Sequence, residues 1–271
     1  MKYLPIFLLL VFCSCKTIER KLFSPTAINN PSLQKQGDHS FSATFSSPSG
    51  FDVSGGAALT NRLAVIGGAY AHKTDDFEEQ SSIFDDPDEG ASAKLLYRQK
   101  GWHGGMGVYF PLSKKSNENF ASFFGGYSNG NFRMDERYYQ AVTPTESAAR
   151  VSFYKSNIRR YFLQGSFTEY SKYSDFSFTF RYNNVEYSDI ITDYTPEQQK
   201  DFSFPGLGYS RFSQFLDFGF CGKFFIPDSP WMGFQVFGSA TARLNREDHN
   251  FYHYPFRFGF GLVVKNPFKG K

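Results

Sequence analysis

The stretch Tyr252-His253-Tyr254-Pro255-Phe256-Arg257-Phe258-Gly259-Phe260-Gly261-Leu262-Val263-Val264-Lys265 decides the fold. Tyr252, Tyr254, Phe256, Phe258, Phe260, Leu262 and Val264 fall on one face, and His253, Arg257, Gly259, Gly261 and Lys265 on the other. A period of two is that of a β-strand, whose successive side chains point to opposite sides. The preceding segment repeats the scheme. Met232, Phe234, Val236, Ala240 and Ala242 stand opposite Gln235, Ser239, Thr241 and Arg243, with Phe237 out of step on the polar side. Phe176, Phe178, Phe180 and Tyr182 oppose Asp175, Ser177, Thr179, Arg181 and Asn183. Leu216, Phe218, Phe220 and Phe224 oppose Asp217, Cys221 and Lys223.

Alternation fits two architectures of opposite sense. A soluble sandwich or lipocalin-like barrel turns its apolar face inward, whereas an outer-membrane barrel turns it toward lipid. Three features favour the second. The apolar faces are almost wholly aromatic or aliphatic over four to seven positions, and the opposite faces carry the Gly and Ser that suit a narrow lumen. Tyr or Trp (Trp231, Tyr252, Tyr254, Tyr182) stand at strand ends, as an interfacial girdle requires. Composition agrees: of 271 residues 20% are aromatic, with 34 Phe and 24 Gly, which speaks against a disordered chain. Repeated apolar runs of about 20 residues, the mark of a helical membrane bundle, are missing. A net charge of +3 is too small to point to nucleic acid.

Residues 1–14 read as an address. Met1-Lys2 gives a positive start and Leu4–Phe12 an apolar run of signal-peptide length. Phe12-Cys13-Ser14-Cys15 resembles the lipobox of bacterial lipoproteins, which implies cleavage before Cys15 and its acylation, palmitate included, with Cys13 as the fallback anchor. Lipid on Cys15 leaves Cys221 alone and no intrachain disulfide. Residues 15–38, polar and aperiodic with Pro25 and Pro31, read as a periplasmic tether, and 39–268 as the barrel.

Strands are expected near 39–47, 51–59, 62–72, 101–112, 119–133, 151–170, 173–188, 208–226, 231–244 and 252–265. The connections alternate between short turns and long loops (73–100, 134–150 and 189–207), the outer-membrane arrangement of long extracellular loops and short periplasmic turns. The expected fold class is therefore all-β, an up-and-down antiparallel transmembrane barrel of about ten strands, with 8 or 12 as alternatives. An even count puts both termini on the short-turn, periplasmic side.

Arg160-Tyr161-Phe162-Leu163-Gln164-Gly165, Phe176–Val185 and Ala57–Val65 resemble segments of small Gram-negative outer-membrane β-barrel proteins, a likeness of pattern across 39–265. It implies fold and outer-membrane location more than activity.

Projected inward, alternation lines the lumen with Arg160, Gln164, Arg181, Lys223, Arg243 and Arg257, with Asp175 and Asp217 as partners. Ten strands make a tube barely wider than its side chains, so this lining reads as a charge network filling a plug. The alternative is a narrow anion-preferring channel. Residues 74–91 hold eight carboxylates, Asp75, Asp76, Glu78, Glu79, Asp85, Asp86, Asp88 and Glu89, without Lys or Arg; the spacing matches no calcium loop and reads as a solvated acidic loop. Asp248-His249 with Asp75-Asp76 resembles in type the rim carboxylates and His of the omptin proteases, which makes a rim hydrolase a second alternative; a soluble periplasmic β-barrel lipoprotein is the third. His103 and His253 are expected in the lumen in hydrogen-bonding roles. No catalytic residue, metal ligand or cofactor is assigned. The expected partners are outer-membrane lipid and an extracellular protein or glycan meeting the loop aromatics Tyr138, Tyr139, Tyr194, Phe202 and Phe204.

Overall fold

The computed structural model describes residues 20–47, 50–79, 92–113, 118–143, 146–207, 210–245 and 251–266. Ten strands close into one antiparallel barrel: β2 (His39–Ser47), β3 (Gly50–Ala58), β4 (Leu63–Glu79), β5 (Ser92–Pro111), β6 (Asn119–Thr143), β7 (Glu146–Tyr170), β8 (Ser174–Thr192), β9 (Phe212–Ile226), β10 (Ser229–Arg243) and β12 (Phe256–Lys265). Each pairs with its neighbour in sequence, β12 taking the place next to β10, and β12 closes on β2 with Phe260 opposite Phe45. A short helix, α1 (Pro196–Asp201), lies between β8 and β9, capped by Thr195. Two short strands stand apart: β1 (Arg20–Phe23) runs parallel to β11 (Phe251–His253).

The rings face out. Phe260 is 69% exposed, Phe178 and Leu163 65%, and Phe41, Phe45, Phe123, Phe220, Phe234 and Phe258 are exposed around the wall. Between them the inward positions are buried and mostly polar. Phe237, out of step in sequence, is buried on the inner face against Ala27 and Cys221.

Four expectations are corrected. Segments 73–100 and 134–150 are largely strand: β4 and β5 pair up to Glu79–Ser92, and β6 and β7 up to Thr143–Glu146, so this side of the wall rises far above the nine-residue β2 and β3. The physical reason is a change of sense. From Met106 to Trp102 the apolar side chains point out, whereas at Leu95, Tyr97, Phe132 and Met134 they point in, with Arg98, Lys100 and Arg133 outside. That is how a strand alternates in water. Second, 252–265 is not one strand, because Pro255 lacks the amide a ladder needs; Tyr254 turns inward and is buried. Third, Tyr194 and Phe204 do not offer contacts outward but are buried over the barrel mouth. The side chains of Tyr138 and Tyr139 lie outside the described residues.

The fourth correction concerns the tether. Residues 20–38 run through the lumen from end to end. Arg20 sits at the long-loop rim, bonded to Glu136, while Gln36 bonds Asn61 and Gly37 bonds Ala58 at the short-turn rim. There Gly37, with φ +78°, turns the chain into β2, and the Asp38 carboxylate accepts the amides of Gln34 and Lys35. The first described residue therefore lies at the rim opposite to the one expected for the N-terminus.

Candidate functional site

The threaded segment, here called the plug, meets the wall at three levels. At the long-loop end, Leu22 and Phe23 are buried among Leu95, Tyr97, Met134 and Phe215, with Phe23 stacked on Phe215 at 4.5 Å. Arg20 binds Glu136 with two nitrogens (2.9 and 2.5 Å) beneath the Phe202 ring, and the Tyr194 hydroxyl donates to the same carboxylate. Lys21 reaches Asp76 at 3.1 Å, and Tyr254 donates to Asp76 at 3.1 Å. Burial, with the Asp76 carboxylate beside it, pushes the Tyr254 phenol well above its usual value. His253, in β11, donates to the Thr241 carbonyl at 2.9 Å, and burial pulls its imidazole below the ordinary histidine value.

At the middle level the plug has no strand partner, so its carbonyls must find donors elsewhere. The wall supplies them. Arg257 donates to Pro25, Arg181 to Thr26 (2.8 Å), Gln164 to Asn29 (2.8 Å) and Lys223 to Asn30 (2.5 Å). Arg160 donates to the Thr26 hydroxyl at 2.9 Å, and Gln99 exchanges two 3.1 Å bonds with the Ser24 backbone. Two of these cations, Arg181 and Arg257, are held in turn by carboxylates. Arg181 binds Asp217 through two nitrogens (2.9 and 2.8 Å), and Asn183 and Thr241 complete the Asp217 shell. Arg257 binds Asp52 at 2.5 Å, and Asp52 also faces His72 and the Ala27 amide at 3.3 Å each. Asp175 accepts from Ser32 at 2.5 Å and faces Lys265 at 3.7 Å. Arg257 is 1% exposed and Asp217 0%.

At the short-turn end, Leu33 is buried with Ile66, Phe120, Phe124, Phe162 and Tyr170, and the Tyr170 hydroxyl bonds both its amide (3.1 Å) and its carbonyl (3.2 Å). Missing side chains in the wall make room. A Cβ on Gly56 would lie 2.6 Å from Pro31, and one on Gly219 2.4 Å from Ile28.

Of the residues expected to line the lumen, Arg160, Gln164, Arg181, Lys223, Arg257, Asp175 and Asp217 are all buried on the inner face. Arg243 is half-buried near the long-loop rim, its Nε 3.4 Å from Asn245, apart from the buried cluster. Asp52, Glu136 and His72 join the cluster without having been anticipated; Asp52 follows an exposed Phe51 in the same alternation that revealed the others. His103 is buried in the lumen with neither ring nitrogen hydrogen-bonded among the described residues. Asp248 and His249 lie outside the described residues, as do Asp85, Asp86, Asp88 and Glu89. Asp75 and Asp76 do not act together: Asp76 turns to Lys21, while Asp75 faces Lys94 at 3.8 Å outside.

No protein-family model and no curated protein matches the chain. Among solved structures it is similar to the outer membrane protease OmpT from Escherichia coli, with 7% identity, 84% of this chain and 90% of that chain covered, and a TM-score of 0.45. It is also similar to the Pseudomonas putida toluene transporter TodX, with 7% identity, coverage of 84% and 87%, and a TM-score of 0.30. At such identities the likeness is one of fold alone.

Proposed function

We propose that the chain is an integral outer-membrane β-barrel held shut by its own N-terminal segment, with a structural or surface-binding role carried by the high wall and cap on the long-loop side. The observation that carries this reading is the plug, seated between an apolar cluster at each end and hydrogen-bonded to charged side chains between them. The outward belt of Phe and Leu supports a bilayer as its surroundings, since a soluble protein rarely exposes so continuous an apolar surface. In a barrel of this kind long loops face outward and short turns face the periplasm. The full chain in a planar bilayer is expected to show no single-channel steps; reproducible steps would favour the narrow channel instead.

The plug also bears on the lipid. Five residue steps lead from Cys15 to Arg20, a reach of at most about 18 Å, against a hydrocarbon core of about 30 Å. With residues 20–38 in the lumen, an acylated Cys15 belongs to the leaflet on the long-loop side. A membrane-impermeant maleimide applied to intact cells is expected to label Thr17→Cys and, in the β4–β5 connection, Ser82→Cys. Ser116→Cys, in the β5–β6 turn, should react only after permeabilisation. Labelling of Thr17→Cys only together with Ser116→Cys would place the N-terminus in the periplasm. Incorporation of a palmitate analogue in the wild type and its loss in Cys15→Ser identify the anchor.

A further inference from the structure

On the outer face of the high wall, one row crosses four adjacent strands: Lys73 on β4 lies opposite Arg98 on β5, Arg98 opposite Arg133 on β6, and Arg133 opposite Lys155 on β7. Lys100 lies two residues below Arg98 on the same face, and all five side chains are exposed. Like charges set directly across strands repel, and four in a row is an arrangement that folding alone does not favour. Arg133 has a carboxylate of its own, Asp135, at 2.7 Å. Lys73, Arg98, Lys100 and Lys155 form no ion pair with any described residue, and the nearby Asp75 is engaged by Lys94.

The height of the row is informative. Trp102 (51% exposed), Tyr127 and Tyr161 (54%) form an outward aromatic group, with Trp102 and Tyr127 in edge contact at 5.8 Å and Tyr127 and Tyr161 at 5.3 Å. Below them the wall exposes Met106, Val108, Phe123 and Leu163. Amphipathic rings sit at headgroup level in membrane barrels. Lys100 precedes Trp102 by two residues along β5 and Arg98 by four, and at about 3.4 Å per residue on a strand tilted by about 40° this puts the cations roughly 5–10 Å higher.

We propose that this row binds the phosphate groups of anionic lipid headgroups in the leaflet on the long-loop side. The proposal rests on the membrane reading above and adds the ligand class of the wall. Flat, evenly spaced cations just above an aromatic group match a sheet of phosphates at the bilayer surface, and the phosphates remove the repulsion within the row.

The test uses the full chain in phosphatidylcholine nanodiscs, titrated with lipid A, a diphosphorylated glycolipid, and with its dephosphorylated form. The wild type is expected to prefer the phosphorylated lipid. Each of Arg98→Gln, Arg133→Gln and Lys155→Gln should weaken binding about fivefold, the effect of about 1 kcal/mol per cation near a charged surface. Arg62→Gln and Lys35→Gln, at the opposite rim, should leave it unchanged. Equal binding of the two lipids, or equal losses in the rim controls, overturns the proposal while the membrane reading stands. Binding of free inorganic phosphate as tight as that of lipid A overturns the lipid as the source. Failure of the folded chain to enter nanodiscs overturns both readings.

Discussion

Deletion of residues 20–36 is expected to open the barrel into a water-filled, anion-preferring pore. The closed wall does not include these residues: the ten strands pair round the circle without them. Removing the plug takes away Leu22, Phe23 and Leu33 from the two apolar seals, each worth about 2 kcal/mol of burial at most. The middle level then fills with water, which can solvate Arg181, Lys223 and Arg257 in place of the lost carbonyls. At the middle level Arg160, Arg181, Lys223 and Arg257 line the opened lumen together with Asp52, Asp175 and Asp217, so that level keeps a positive excess. An anion preference of roughly threefold or more is expected from such a focused field. In planar bilayers the full chain should be silent, and the deleted chain should show discrete steps with a reversal potential on the anion side. A synthetic peptide of residues 20–36 should block them. A deleted chain that migrates as a folded, heat-modifiable barrel yet stays silent would mean that wall side chains fill the tube alone.

The residues behind that prediction show how far the sequence could be read. Where the wall faces an apolar surrounding outside and polar groups inside, alternation gives both strand and orientation, and Phe176–Asn183 and Phe256–Lys265 behave accordingly. The reading fails where the surroundings change. Above Trp102 the same strands carry charged side chains on the outside and an apolar cluster on the inside, so the phase of the pattern flips between Trp102 and Tyr97 and the strand looks like loop. The plug fails for another reason. Beyond the four residues of β1 it is extended but belongs to no sheet, so it has no period to detect. Its composition does carry a signal: from Leu22 to Gln34 no residue is charged, although 20% of the chain is. A tether in water has little reason to avoid charge for thirteen residues, whereas a segment inside a cationic lumen presents carbonyls and amides to the wall. The cations found by alternation thus had partners in a stretch read as a structureless tether.

Arg257→Met is expected to cost the folded barrel about 3–5 kcal/mol, the range for removing one member of a buried ion pair. Arg257 is held by Asp52, Ser46 and the Pro25 carbonyl, with the His72 ring at 3.0 Å. Its loss leaves Asp52 buried at 2% exposure, with only His72 and the Ala27 amide as hydrogen-bond partners among the described residues. Methionine keeps much of the volume, so the loss reads the charge rather than a cavity. Denaturant titration followed by the folded, heat-modifiable gel band measures it. Arg243→Met, at the rim and half-buried, should lower the stability by less than about 1 kcal/mol. Pairing Arg257→Met with Asp52→Asn should recover much of the loss, because the penalty comes from the stranded carboxylate and not from the missing attraction. The same substitution in the chain lacking residues 20–36 should cost far less. With the plug gone water reaches Asp52 and hydrates it directly, so a cost of Arg257→Met that is undiminished there would show that the ion pair stabilises the wall alone and has no part in seating the N-terminal segment.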